Sequence, residues 1–191
     1  EADGFPGLTV DRFGPILVAQ VLSLGMELRK TQLFALLLQT LRACGEQIEA
    51  IYERNDVKLR EKEGMQQGTG FVTLEDLKTD LGGHVTIREN GILYDVDYIH
   101  GQKTGFFLDQ KYNRRAAAQL APGKHVLDCF THTGAFGLNC AAAGAASVVS
   151  VDVSEDALTT ARHNAALNGL DAHVEYLCAD VFDLLTKLAE Q

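Results

Sequence analysis

The segment 126-VLDCFTHTG-134 decides the fold of this 191-residue chain. Its apolar residues predict a strand over 124–130, and its glycine opens an alanine-rich stretch that predicts a helix over 134–143. The same alternation continues along the chain, with strands over 147–152 and 173–179 and helices over 154–167 and 181–190. Apolar strands that alternate with helices predict an α/β fold with a parallel sheet covered on both faces. Such sheets bind ligands beyond the carboxyl ends of their strands, where the quoted segment turns into its helix.

The turn after the first strand is unsuited to a pyrophosphate. Dinucleotide-binding turns use the pattern G-x-G-x-x-G, which lets the backbone approach the phosphates. Here only Gly134 and Gly137 are glycine, while bulkier residues occupy 130–132, and no P-loop lysine is present. S-adenosylmethionine contains no phosphate and tolerates bulky residues in this turn. Its positive charge also suits Asp128, so its chemistry fits the segment better.

Three aspartates stand where the three predicted strands end, namely Asp128, Asp152 and Asp180. Asp152 follows Asp128 by 24 positions, and a carboxylate roughly 20 residues beyond the loop typically accepts hydrogen bonds from ribose hydroxyls. Asp180 is expected to accept a hydrogen bond from an adenine amino group, with Val181 packed near the ring. One such aspartate alone is more often a helix N-cap. Three in this order indicate a nucleoside site.

The first hundred residues follow a different pattern. They predict strands over 8–13 and 15–23, a helix over 28–43, a strand over 47–54, a polar loop over 55–70 with one helical turn, and a hairpin over 84–99. Asn90-Gly91 suits the two-residue type I′ turn of this hairpin, because both positions need a positive φ. The order predicts a small α+β domain over residues 1–100. Residues 101–191 are then the N-terminal half of a Rossmann-like sheet.

Composition restricts the class of protein. A net charge of −9 argues against a nucleic-acid binder, although a local basic face can serve inside an acidic chain. Four cysteines without C-x-x-C spacing favour reduced, buried thiols in a cytoplasmic protein over zinc ligands, so no metal site is predicted. No apolar run approaches the roughly 18 residues that a membrane span needs.

A second segment narrows the resemblance to a family. Together with the quoted segment, 101-GQKTGFFLDQKYNR-114 resembles class I S-adenosylmethionine-dependent methyltransferases, and among them the bacterial large-subunit rRNA cytosine-5 methyltransferases with a PUA domain. Further matching segments are 7-GLTVDRFG-14, 51-IYERNDV-57, Glu63-Gly64 and 89-ENG-91. The resemblance implies a PUA domain, a central α+β domain and a methyltransferase domain that modifies 23S rRNA. Relatives often have Tyr and Gly where this chain has His132 and Ala135.

The resemblance places Gly105–Lys111 beside the methionine end of the cofactor. Phe106 or Phe107 is expected to pack on the cofactor, although both phenylalanines are equally compatible with a place in the core. The residues expected to bind S-adenosylmethionine are Phe107, Asp109, Gln110, Lys111, Asp128, Cys129, Phe130, Thr131, Thr133, Gly134, Asp152, Val153, Asp180 and Val181.

No residue of this chain is assigned as catalytic. The family adds a cysteine thiolate to cytosine C6, and the negative charge of neighbouring Asp128 would raise the pKa of a Cys129 thiol, so Cys129 is interpreted as structural. The nucleophilic cysteine and the Asp-Pro-Pro motif of the family are absent, and both ends look cut. We therefore expect this segment to bind cofactor at best and to be inactive. An open sheet edge predicts a homo-oligomer or a domain swap.

Two other classes of function stay open. The first is a non-catalytic RNA-binding or scaffolding module with a vestigial nucleoside site. Its phosphate contacts would be Arg12, Arg54, Lys58, Arg60 and Lys62, but interleaved glutamates favour a solvated face of mixed charge. The second is an NAD-dependent oxidoreductase, which the turn at 130–132 disfavours.

Overall fold

The computed structural model describes residues 3–74 and 76–190. The chain divides into two compact units. The first comprises Glu1–Thr86 and Val96–Phe107, and the second comprises Ile87–Asp95 and Leu108–Gln191. Gly101, where the sequence pattern changes, belongs to the last segment of the first unit.

A four-stranded sheet with the order β1-β2-β3-β4 forms the first unit. Its strands are β1 (Leu8–Phe13), β2 (Ile16–Val21), β3 (Ala50–Arg54) and β4 (Thr69–Phe71), and its helices are α1 (Leu24–Glu27), α2 (Lys30–Ala43) and α3 (Leu59–Lys62). β2 and β3 are parallel, while the other neighbours are antiparallel. The core buries Leu17 and Ile51 of the sheet against Phe34 and Leu38 of α2.

Two details of the first unit differ from the sequence-based prediction. The helix predicted over 28–43 is confirmed as α2, but the short helix α1 that precedes it was not predicted. β4 lies at the end of the segment predicted as a loop. Its three residues, Thr-Gly-Phe, are too few to show alternation, so only the pairing with β3 identifies them as a strand.

The predicted hairpin is confirmed. It consists of β5 (His84–Glu89) and β6 (Ile92–Asp97), which pair as a two-stranded sheet. Asn90 and Gly91 have φ values of 51° and 89°, as a type I′ turn requires.

The second unit contains a three-stranded parallel sheet with the order β7-β8-β9. Its strands are β7 (His125–Cys129), β8 (Ser147–Asp152) and β9 (Val174–Cys178), and its helices are α4 (Lys111–Leu120), α5 (Ala135–Ala142), α6 (Glu155–Leu167) and α7 (Val181–Ala189). Central β8 is the most buried strand, with Val148, Ser150 and Val151 at 2% exposure or less. The predicted α/β class is confirmed, and the carboxyl ends of the three strands share one edge.

The prediction of buried cysteines is wrong for two of the four. Cys140 is buried and Cys129 is half-buried, but Cys44 and Cys178 are exposed, and all four are free thiols. Cys44 follows the last residue of α2, and Cys178 is the last residue of β9, an edge strand of its sheet among the described residues.

Within residues 3–74 and 76–190, no helix is both long and apolar enough to cross a membrane. The same residues contain no group of three or more His, Cys, Asp and Glu side chains placed to hold a metal ion.

Candidate functional site

The loop from Phe130 to Gly134 joins β7 to α5 and has an unusual backbone. Phe130, His132 and Gly134 have φ values of 58°, 52° and 84°. Non-glycine residues rarely adopt such angles, and they keep them only where the surroundings hold them. Two bonds from β8 do so here: the Thr131 amide donates to the Val151 carbonyl at 2.9 Å, and the His132 amide donates to Asp152 Oδ2 at 2.8 Å.

Asp128, near the end of β7, fixes the start of this loop. Its Oδ2 accepts hydrogen bonds from the Thr131 hydroxyl and from the Gly137 amide, the latter at 2.8 Å. Burial raises the pKa of the Asp128 carboxyl, and the hydrogen bonds from Thr131 and Gly137 oppose that rise. Asp128 thus brings a carboxylate to the site and also ties the loop to α5.

The two glycines of the loop region allow close packing. A Cβ at Gly137 would overlap Ser150 Oγ and lie 3.1 Å from Asp128 Oδ2. A Cβ at Gly134 would lie 3.0 Å from the Cβ of Ala161 in α6. Gly137 therefore lets α5 approach β8, and Gly134 lets α6 approach the loop. The turn also lacks the G-x-G-x-x-G pattern that brings a backbone close to a pyrophosphate, and this favours a ligand without phosphate over a dinucleotide.

Asp152 stands at the end of β8, between the loop and α6. Its Oδ2 accepts from His132, and its Oδ1 accepts from the Ser154 amide at 3.0 Å. Each carboxylate oxygen can accept more than one hydrogen bond, so both retain capacity toward a ligand. Val153, the next residue, is 73% exposed.

At the end of β9, the exposed apolar residue is Phe182 and not Val181, as had been expected. Exposed Asp180 caps α7, accepting at Oδ1 from the Phe182 and Asp183 amides at 2.8 and 3.1 Å. Val181, which was expected beside the adenine ring, is only 2% exposed, whereas Phe182 is 69% exposed. The Phe182 ring lies 5.8 Å from that of Phe130, which is 61% exposed. These two rings form the apolar surface of the site.

The upstream residues lie around the start of α4. Asp109 and Gln110 belong to a short 3-10 helix, Leu108–Gln110, and Gln110 Nε2 donates to Asp109 Oδ2 at 3.0 Å. Exposed Lys111 begins α4. In the first unit, Phe107 lies under the Lys103 ammonium at 5.0 Å, and Phe106 is buried in the core at 5% exposure.

Arg114, which ends the upstream motif, has a structural role. It is 2% exposed and donates twice to Glu89 of β5, at 2.7 and 3.0 Å. This bidentate ion pair ties α4 to the hairpin. Cys129 and Thr133 lie at the two ends of the loop, half-buried, and the Thr133 carbonyl accepts from Asn164 Nδ2 at 3.1 Å.

Sequence reasoning missed Phe182, Gly137 and Asn164. The exposed position of Phe182 follows from the turn into α7, which buries the first helical residue and exposes the second. Gly137 falls outside any dinucleotide pattern, and Asn164 occupies a helix whose polar residues gave no sign of burial. Only an amphipathic projection of α6 would have indicated that Asn164 is buried, because it places Asn164 on the same face as Leu158, Ala161 and Ala165.

Strand-end carboxylates, exposed aromatic rings and a turn without the dinucleotide glycine pattern are typical of an α/β domain that binds a nucleoside-containing cofactor. Residues 38–191 match the sequence profile of a family described as S-adenosylmethionine-dependent methyltransferase. The chain belongs to this family, and its cofactor is S-adenosylmethionine.

Individual relatives agree with this family. The chain is 48% identical to ribosomal RNA large subunit methyltransferase I of Shewanella amazonensis and 46% identical to the protein of the same name from Photobacterium profundum. All of this chain aligns with 46% of each relative, so it spans about half the length of the curated relatives that it matches.

Solved structures show the same fold. A Streptococcus mutans protein described as a SAM-dependent methyltransferase superposes with a TM-score of 0.79 at 26% identity, over 100% of this chain and 46% of its own. A methyltransferase structure in complex with S-adenosylhomocysteine (SAH) has a TM-score of 0.78 at 26% identity, over 98% of this chain and 46% of its own.

Proposed function

We propose that this chain supplies the cofactor-binding part of an enzyme that forms 5-methylcytosine in 23S rRNA. The observation that carries the proposal is the row of Asp128, Asp152 and Asp180 at the ends of adjacent parallel strands, beside a turn without the dinucleotide glycine pattern. The names of the relatives support rRNA of the large subunit as substrate. The resemblance of 101–114 to cytosine-5 methyltransferases supports the product.

Each part of the site has a role in this proposal. The cofactor supplies an electrophilic methyl group on a sulfonium. Asp128 faces the positive methionine end, together with Asp109, Gln110 and Lys111 of the upstream motif. Asp152 accepts from the ribose hydroxyls. Asp180 and the rings of Phe130 and Phe182 hold the adenine, since exposed aromatic faces stack well on nucleobases.

The proposal places the nucleophilic thiolate outside these 191 residues. Cys129 sits at the end of β7, directly after Asp128, and its neighbours serve the cofactor loop. We therefore expect the 191-residue chain to bind cofactor without transferring methyl. Labelled methyl appearing in 23S rRNA after incubation with this chain would contradict the expectation.

Calorimetry with SAH, S-adenosylmethionine and NAD tests the cofactor site. We expect SAH and S-adenosylmethionine to bind and NAD to give no heat. Asp152→Ala should weaken SAH binding at least about tenfold, the size expected for losing hydrogen bonds to a charged group. The control is Asp156→Ala, which removes an equally negative but exposed side chain from the first turn of α6. Unchanged affinity in Asp152→Ala would refute the ribose assignment.

An RNA-binding module without catalysis receives less support. Arg54 and Arg60 are 6% and 5% exposed and are paired with Asp56 and Glu27. Arg12 is paired with Glu46 at 2.6 Å. Three of the five cations considered as phosphate contacts are thus already neutralised.

The remaining parts of the proposal concern the surroundings of the enzyme. We propose that the domain over residues 1–100 contacts RNA, that the enzyme works in the cytoplasm, and that the open edge of β7 pairs with a second copy or exchanges strands with it. Light scattering tests the last point, and a uniform monomer would contradict it.

A further inference from the structure

We infer that Asn164 positions the cofactor loop by joining the Thr133 carbonyl to the backbone of β6 through its side-chain amide. Nδ2 donates to the Thr133 carbonyl at 3.1 Å, and Oδ1 accepts from the Asp95 amide at 2.8 Å. Asn164 is 0% exposed, so it acts through the loop and does not touch the cofactor. The inference rests on the proposed cofactor site and adds a positioning residue to it.

The loop needs support on both sides because its backbone is strained. Phe130 and His132 adopt left-handed angles that only a tightly held loop maintains. β8 holds the first half of the loop through the Thr131 and His132 amides. Asn164 holds the second half at Thr133, immediately before Gly134 leads into α5.

The side-chain amide is specific to this task. It donates and accepts at the same time, from two atoms on opposite sides of one planar group. A carboxylate of the same size can only accept. Ala161, one turn earlier on α6, lies under Gly134, so the same helix face meets the loop twice. Neither Ala161 nor Asn164 leaves space for a larger side chain, since both are 0% exposed.

Asn168 offers a control within the same helix region. It follows Asn164 by one turn and caps α6. Its Oδ1 accepts from the Leu93 amide at 2.8 Å, and its Nδ2 donates to the Leu93 and Asn164 carbonyls, both at 2.7 Å. Both asparagines therefore bind α6 to β6. Within residues 3–74 and 76–190, the hydrogen bonds of Asn168 go to β6 and α6, and those of Asn164 include the loop.

The test compares Asn164→Asp with Asn168→Asp in the complete 191-residue chain. Each variant keeps the oxygen that accepts from β6 and loses the donor. We expect Asn164→Asp to lower the melting temperature more than Asn168→Asp, because its carboxylate is fully buried. We expect faster hydrogen exchange of the 130–134 amides in cofactor-free Asn164→Asp alone. Only this variant should also weaken SAH binding, by about tenfold, the equivalent of one hydrogen bond of about 1.4 kcal/mol. Equal effects of the two variants on exchange and affinity would overturn the inference.

Two features keep the test decisive. If the aspartate variants do not fold, Asn164→Ala and Asn168→Ala give the same comparison without an added charge. If the unmodified chain does not bind SAH, the proposed cofactor site fails, but the exchange rates of 130–134 still decide whether Asn164 holds the loop.

Discussion

The ends of β7 and β9 each carry an aspartate, but the aspartate is half-buried at β7 and exposed at β9. At β7, Asp128 is half-buried and bonded to Thr131 and Gly137, and its pKa is raised by burial. At β9, exposed Asp180 caps α7 and leaves Phe182 open to solvent. Burying a carboxylate costs free energy unless its partners are fixed. The first end is thus a preorganised polar cluster, and the second is an open apolar surface that a ligand can complete.

The largest effect that this comparison predicts is at Asp128. Asp128→Ala should lower the free energy of unfolding by about 3 kcal/mol, because the buried Gly137 amide and the Thr131 hydroxyl lose their acceptor. Chemical denaturation measures this loss.

Asp128→Asn is the matched variant. Its amide oxygen can accept from Gly137 without the cost of burying a charge. We expect near-normal stability but weaker SAH binding, because the site loses its charge. If Asn were as destabilising as Ala, charge and not hydrogen bonding would hold the loop.

A smaller effect is expected at Asp180. Asp180→Ala removes an N-cap from an exposed helix start and should cost about 1 kcal/mol. Asp180→Ser keeps a capping oxygen on a shorter side chain, so it should restore most of that stability.

The serine variant also tests the adenine contact. If Asp180 reaches the adenine amino group, Asp180→Ser should bind SAH more weakly than the unmodified chain although its helix is capped. If affinity is normal in a stable Asp180→Ser chain, Asp180 is a cap alone and the end of β9 binds through Phe182.

The same comparison shows what the sequence could and could not predict. Strands, helices and the hairpin turn follow from periodicity and from local φ requirements, such as those of Asn90-Gly91. The row of aspartates follows from the strand ends. The burial of the residues at those strand ends could not be predicted, because it depends on contacts with residues that are distant in the sequence. Asn164, for example, meets Asp95 across 69 positions, and short β4 exists only through its pairing with β3.

The smallest predicted effect concerns pH and is confined to the β7 end. Burial lowers the pKa of His132 from its ordinary value of 6.5, and nearby Asp152 opposes that change. The unfolded chain therefore binds more protons than the folded one just below pH 6.5. The contribution of His132 to stability is present above pH 6.5 and is lost as the pH falls through the lowered folded-state pKa.

His132→Asn tolerates the left-handed backbone and removes this titration. Denaturation at several pH values should show the unmodified chain losing stability relative to His132→Asn as the pH falls below 6.5. Parallel curves would mean that the burial of His132 does not couple the stability of the β7 end to pH, and the contrast with the β9 end would then rest on hydrogen bonding and exposure alone.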